Sequence, residues 1–360
     1  MFYILSTFSL YLVGFSQSNY FSLDTPVDAR SISMGESFVA VGNSTSGSFY
    51  NPATLNSIEG ITTSFNKRYL DWMDWVNGMY FFSLNGTVHT PYGTIGLFYN
   101  RFDSPSFEVR NDNNSILGES SYYNHTYGIG YAKEIIPNLS TGISLKTYDF
   151  AVERTYSSMN MSQFKTTSKP FLLDVGVLYK FPIIVATDVF TDELSLGLSL
   201  QNFGTDYRVD NHYYRLPNYA RLGFAYAFNV NKKHKGDLQP FRYILTGEYC
   251  NHVNAWKTMQ DQRDYWKVGM EATFYEIVSF RIGGYAQPYL NIYGKKGVPS
   301  FRYGFGLNAP LHSIGIKTPI VVAFDFAVIP LSETNTWLYY NPKKNLTTFS
   351  LELKYSNDLF

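Results

Sequence analysis

Between residues 194 and 201 apolar and polar positions alternate with a period of two. Leu194, Leu196, Leu198 and Leu200 fall on one side, and Ser195, Gly197, Ser199 and Gln201 on the other. Successive side chains on an extended strand point to opposite faces, so this pattern predicts a β-strand with one greasy face. The pattern recurs. ARLGFAYAF (220–228) sets Leu222, Phe224, Tyr226 and Phe228 against Arg221, Gly223, Ala225 and Ala227. FSLELKY (349–355) sets Phe349, Leu351, Leu353 and Tyr355 against Ser350, Glu352 and Lys354, and VAFDFAV (322–328) places Asp325 among alanines on its non-apolar face.

Such runs predict strands at 61–68, 78–89, 93–102, 122–133, 139–150, 171–181, 193–203, 218–229, 241–251, 263–274, 277–287, 300–308, 319–329 and 346–356. Most reach the ~9–11 residues that a tilted strand needs to cross a bilayer. Convincing helical periodicity does not interrupt the series, and the reading is all-β and antiparallel. The connections alternate too. Tight steps at 90–93, 134–138 and Glu276 separate long polar loops at 103–121, 151–170, 204–217, 252–262, 288–299 and 330–345. Short turns at one end and long loops at the other are the pattern of a transmembrane barrel of about 14 strands in a bacterial outer membrane. A soluble sandwich also alternates. Its polar faces look to water, however, and it has no reason to place Tyr219, Phe228, Phe349 and Tyr355 near strand ends, where girdle residues meet the membrane interface.

Composition agrees. Aromatics make up 18% and charged residues only 16% of 360 residues, against ~25% charged in an ordinary soluble domain. The formal net charge is zero, which points to no nucleic-acid partner. Cys250 is the sole cysteine, so an internal disulfide framework and a cysteine metal site are excluded. Residues 1–16 read as a signal peptide: an apolar run over 2–15, small residues at Gly14, Ser16 and Ser18, and no basic flank before it.

Residues 17–60 do not alternate and are rich in Gly, Ser and Asn. Eight strands close with just enough space for side chains, whereas sixteen leave an aqueous channel. A barrel over 61–360 therefore needs a filler, and this segment, from about residue 24, is expected to fold back as a hatch. Asn51-Pro52-Ala53 within it predicts a turn into a short helix start.

Chemistry is sparse. His89, His125, His212, His234, His252 and His312 have no ligand spacing, and no nucleophile elbow, phosphate loop or dinucleotide fingerprint occurs. No metal, cofactor or catalytic residue is expected, and the chain does not read as an enzyme. Asp325, Glu352 and Lys354 are expected as lumen lining. Asp71-Trp72-Met73-Asp74-Trp75 is the most unusual loop, with Trp72, Met73 and Trp75 as a candidate partner-contact surface or a cover over the barrel mouth.

Asp28-Ala29-Arg30, Met34-Gly35, Phe38-Val39-Ala40-Val41 and Asn51-Pro52-Ala53 with Leu55 resemble the opening of the PorV/PorQ family of outer-membrane proteins, relatives of the FadL-type transporters. LLDVGVLYKF, LSLGLSLQNFG, LPNYARLGFAYAF and FSLELKY look like its barrel strands. Glu36 departs from the pattern, standing where a second glycine is common, and Asn43-Ser44-Thr45 replaces an acidic pair. The resemblance implies a FadL-like barrel of 14 strands with an N-terminal hatch carrying Met34, Gly35, Asn51, Pro52 and Ala53. It further implies a PorV-like part in type IX protein secretion, with secretion-complex proteins or exported cargo as partners alongside outer-membrane lipid. The alternative it implies is a FadL-like channel for hydrophobic small molecules.

Overall fold

The computed structural model describes residues 21–25, 28–69, 80–110, 114–156, 169–181, 187–209, 212–214, 216–232, 238–253, 264–286, 300–311, 316, 318–330 and 345–355. The strands in chain order are β1 (Ile61–Tyr69), β2 (Tyr80–Thr90), β3 (Gly93–Asp103), β4 (Phe107–Arg110), β5 (Ile116–Ile136), β6 (Leu139–Tyr156), β7 (Phe171–Lys180), β8 (Phe190–Gly204), β9 (Tyr207–Val209), β10 (His212–Tyr214), β11 (Tyr219–Val230), β12 (Phe241–His252), β13 (Asp264–Phe274), β14 (Val278–Ala286), β15 (Ser300–Pro310), β16 (Ile320–Ile329) and β17 (Leu346–Tyr355). One 15-stranded antiparallel sheet holds all but β9 and β10, which form a separate hairpin. In that sheet β4 pairs only with the far end of β5, while β3 also pairs with β5 and β1 with β17. The remaining fourteen strands therefore close into a barrel with no free edge inside the membrane.

All fourteen expected strands are present. Closure explains why so plain a pattern is reliable: hydrocarbon satisfies no backbone group, so each strand must pair on both sides and keep one face to lipid. Leu196, Leu198 and Leu200 are exposed on the outer wall, while Ser195, Gly197, Ser199 and Gln201 are buried in the lumen. Rows of rings mark the two rims, with Tyr249 on Trp266 at 4.8 Å toward the long loops and Phe241 on Phe274 at 5.2 Å toward the short turns.

The loops 103–121 and 204–217 are not plain loops, because they contain β4, the start of β5, β9 and β10. β6 likewise runs six residues past its expected end, to Tyr156. These elements lie on the long-loop side of the barrel. Strand pairing persists there, but the alternation that reveals a strand in sequence is lost.

Ile61 lies opposite Tyr355, so both ends of the barrel sheet reach the short-turn rim. The tight step at residues 275–276 uses positive φ at both Tyr275 (51°) and Glu276 (56°), with Ile277 N bonded to Phe274 O at 2.9 Å. That backbone twist matches the right-handed twist of the flanking strands. The exterior is a continuous apolar surface that only hydrocarbon suits, which places the chain in the bacterial outer membrane.

Candidate functional site: the inner segment and the lumen

Residues 28–60 lie inside the barrel against the inward faces of the wall. The segment begins with a cap. Asp28 Oδ1 accepts from Ser31 N at 2.7 Å and starts the short helix Ala29–Ser33. Burial pushes the Asp28 carboxyl above the usual carboxylate range, against the pull of the Ser31 hydrogen bonds. Burial would lower the Arg30 guanidinium, but the Glu271 carboxylate more than offsets it and holds the proton above the ordinary value. Arg30 grips Glu271 with two N–H donors, each at 2.8 Å, and Arg281 joins Glu271 and Asp325 at 2.5 Å each. The forked geometry fixes where the helix meets the wall.

The chain then turns sharply. Gly35 and Glu36 both have positive φ, 66° and 61°. Gly35 needs to be glycine twice over, since a Cβ there would lie 2.3 Å from Gly284 N. Glu36 carries the same backbone with a side chain, and its carboxylate takes Lys267 Nζ at 3.3 Å and a short contact from Arg302. Glu248 binds the next turn. One carboxylate oxygen accepts from Phe38 N (2.8 Å) and Val39 N (2.9 Å), and the other from Arg221 at 2.8 Å.

Asn51 Oδ1 accepts from Ala53 N at 3.0 Å and starts the 3₁₀ turn Pro52–Ser57, with proline at its first position. Asn51 Nδ2 donates to Val39 O at 2.8 Å and to the wall carbonyl of Val177 at 3.0 Å. The wall receives the segment on glycines. A Cβ on Gly142 would meet Ala53 N at 2.4 Å, one on Gly176 would meet Asn51 Oδ1 at 1.9 Å, and one on Gly197 would meet Val39 O at 2.3 Å. Gly269 and Gly283 leave the same room for Met34.

The five residues singled out in the sequence, Met34, Gly35, Asn51, Pro52 and Ala53, are all buried at this contact between segment and wall. Trp72, Met73 and Trp75 lie outside the described residues. Asp325 and Glu352 line the lumen in ion pairs, with Arg281 and Lys354 respectively. Sequence reasoning missed the partners that hold the segment: Glu248, Glu271, Arg221, Lys267, Arg281 and Arg302. Their one signal was charge at the centre of alternating strands. Among the described residues no cluster of His, Cys, Asp and Glu could hold a metal.

No protein-family model matches the chain, and no curated protein matches it in sequence. Solved structures do. The chain is similar to the Pseudomonas putida toluene transporter TodX, with 11% identity over 92% of this chain and 98% of that chain and a TM-score of 0.51. It is also similar to the CymD monoaromatic hydrocarbon channel, with 12% identity over 91% and 96% and a TM-score of 0.50. At such identities the likeness is one of fold alone: a closed antiparallel β-barrel of the outer membrane.

Proposed function

We propose that the protein conducts small hydrophobic molecules through the outer membrane, past an inner segment that yields to the solute. The observation that carries this reading is an apolar seam between the inner segment and the wall. Met34, Phe38, Val41 and Tyr50 of the segment pack on Leu178, Ala225, Ala227 and Ile244 of the wall. The seam is a dispersion contact with small alanines on one side, so an apolar solute replaces it at little cost. A polar solute would lose its hydration there. A general porin needs a continuous water path, and the segment occupies that path.

The roles of the two structural neighbours, one a toluene transporter and one a hydrocarbon channel, support this reading over a part in protein secretion. The stretch that resembles PorV/PorQ, from Asp28 to Leu55, lies within the segment, so it supports a plugged barrel under either reading.

The test compares toluene entry in a deletion strain with and without the gene, alongside native purification of the protein. Slower entry that the gene restores supports the conduit. Unchanged entry together with co-purifying translocon proteins or cargo overturns it in favour of the secretion role.

A further inference from the structure

On the outward side of β1, β2, β3 and β5, toward the long loops, polar side chains form one connected row. The register sets Lys67 opposite Phe82, Phe82 opposite Arg101 and Arg101 opposite His125. The backbones of β1 and β3, two strand spacings apart, are about 10 Å from each other. Tyr80 closes that gap. Its ring centre lies 5.1 Å from Lys67 Nζ, and its hydroxyl donates to Asp103 Oδ2 at 3.1 Å. Arg101 Nε donates to the same oxygen at 2.5 Å. His125 Nε2 lies 3.5 Å from the other oxygen, Oδ1, and its Nδ1 is 3.5 Å from the Tyr99 hydroxyl and 3.3 Å from that of Tyr127. The carboxylate is thus enclosed while the guanidinium looks out: the Asp103 side chain is 17% exposed and that of Arg101 42%.

Lipid covers this face of the wall. Leu84, Leu97 and Ile129, further along the same outward faces toward the short turns, are exposed apolar residues that acyl chains suit. Positive charge on such a wall is tolerated near the interface, and anionic lipids are drawn to it there. The stacked rings of Tyr99 and Tyr127, 5.0 Å apart, mark that level. A guanidinium fork in particular matches the oxygens of a phosphate. We propose that this patch binds the anionic head group of a membrane lipid, with Lys67 and Arg101 as its contacts and Tyr80, Asp103 and His125 holding them in place. The tails of the same lipid lie along the apolar wall beside it. This goes beyond the passage of hydrocarbons and does not depend on it.

Native mass spectrometry of the full-length protein, released from nanodiscs that hold equal amounts of phosphatidylglycerol and phosphatidylcholine, tests the site. The wild type keeps phosphatidylglycerol in preference. Lys67→Gln lowers that preference about five-fold, and adding Arg101→Gln lowers it about five-fold again, the effect of one cation near a charged lipid surface. Lys133→Gln, which removes an exposed cation toward the short-turn end of β5, leaves it unchanged. Should the Arg101 variant fail to fold, the Lys67 variant alone decides. Equal retention of the two lipids by the wild type, an unchanged preference in Lys67→Gln, or the same loss in Lys133→Gln overturns the proposal. Displacement of the bound lipid by glycerol phosphate also overturns it, since the site would then be one for a free anion.

Discussion

Asn51 donates a hydrogen bond from its side-chain amide to the backbone carbonyl of Val177, 3.0 Å away, and so ties the inner segment to a strand 126 residues later. Gly176, the residue before that carbonyl, has no room for a Cβ, which would fall 1.9 Å from Asn51 Oδ1. Gly176→Ala should therefore push the segment off the wall at an overpacking cost of about 1–3 kcal/mol. A lower unfolding temperature in detergent and more frequent open-channel events in planar bilayers are the expected results. An unchanged conductance trace would show that the contact does not hold the segment closed.

Glu36 pits backbone against side chain. Its positive φ costs an ordinary residue about 1–2 kcal/mol, which glycine would recover. Its carboxylate, however, is the partner of Lys267 and Arg302, and breaking a buried pair costs about 3–5 kcal/mol. Glu36→Gly is therefore expected to destabilise the protein by about 2 kcal/mol net. Equilibrium urea unfolding of the folded barrel measures it, and a stabilised variant would mean that the pairs contribute little.

Asp28 has a carboxyl raised by burial, so its charge weakens the folded state. A group whose folded value exceeds its unfolded one, about 3.9 for aspartate, lowers stability as pH rises from the unfolded value through the folded one. Asp28→Asn keeps the oxygen that accepts from Ser31 N and removes that loss. It should match or exceed wild-type Tm at pH 7 and flatten this part of the pH profile. Asp28→Ala loses the cap and about 1 kcal/mol.

Leu198 stands at the middle of β8 on the outer wall, 46% exposed in the absence of lipid. Leu198→Arg should cost about 2–4 kcal/mol in a bilayer, as charge does at the midplane of a barrel's lipid face. Leu198→Phe should be nearly neutral. Folding yields in vesicles separate the two, and equal yields would contradict a lipid-facing position.

The sequence alone determined the strands, which face of each meets lipid, and the end of the barrel from which the long loops project. Leu196, Leu198 and Leu200 announce their environment because hydrocarbon imposes one rule on every second residue, and a rule of period two is legible locally. At β4, β9 and β10, strands of only four, three and three residues among the long loops, the pattern is too short for that rule to show, and the strands were hidden. Only the tertiary structure decided that Glu36 meets Arg302, that Glu248 holds the backbone of Phe38 and Val39, and that Gly142, Gly176 and Gly197 are seats for the inner segment. Those contacts join residues more than 80 positions apart, and each depends on closure of the cylinder, which brings opposite walls and the segment between them within reach. Polar side chains on a lumen face carry no period that names their partners, so their pairing appears only once the wall has closed around them.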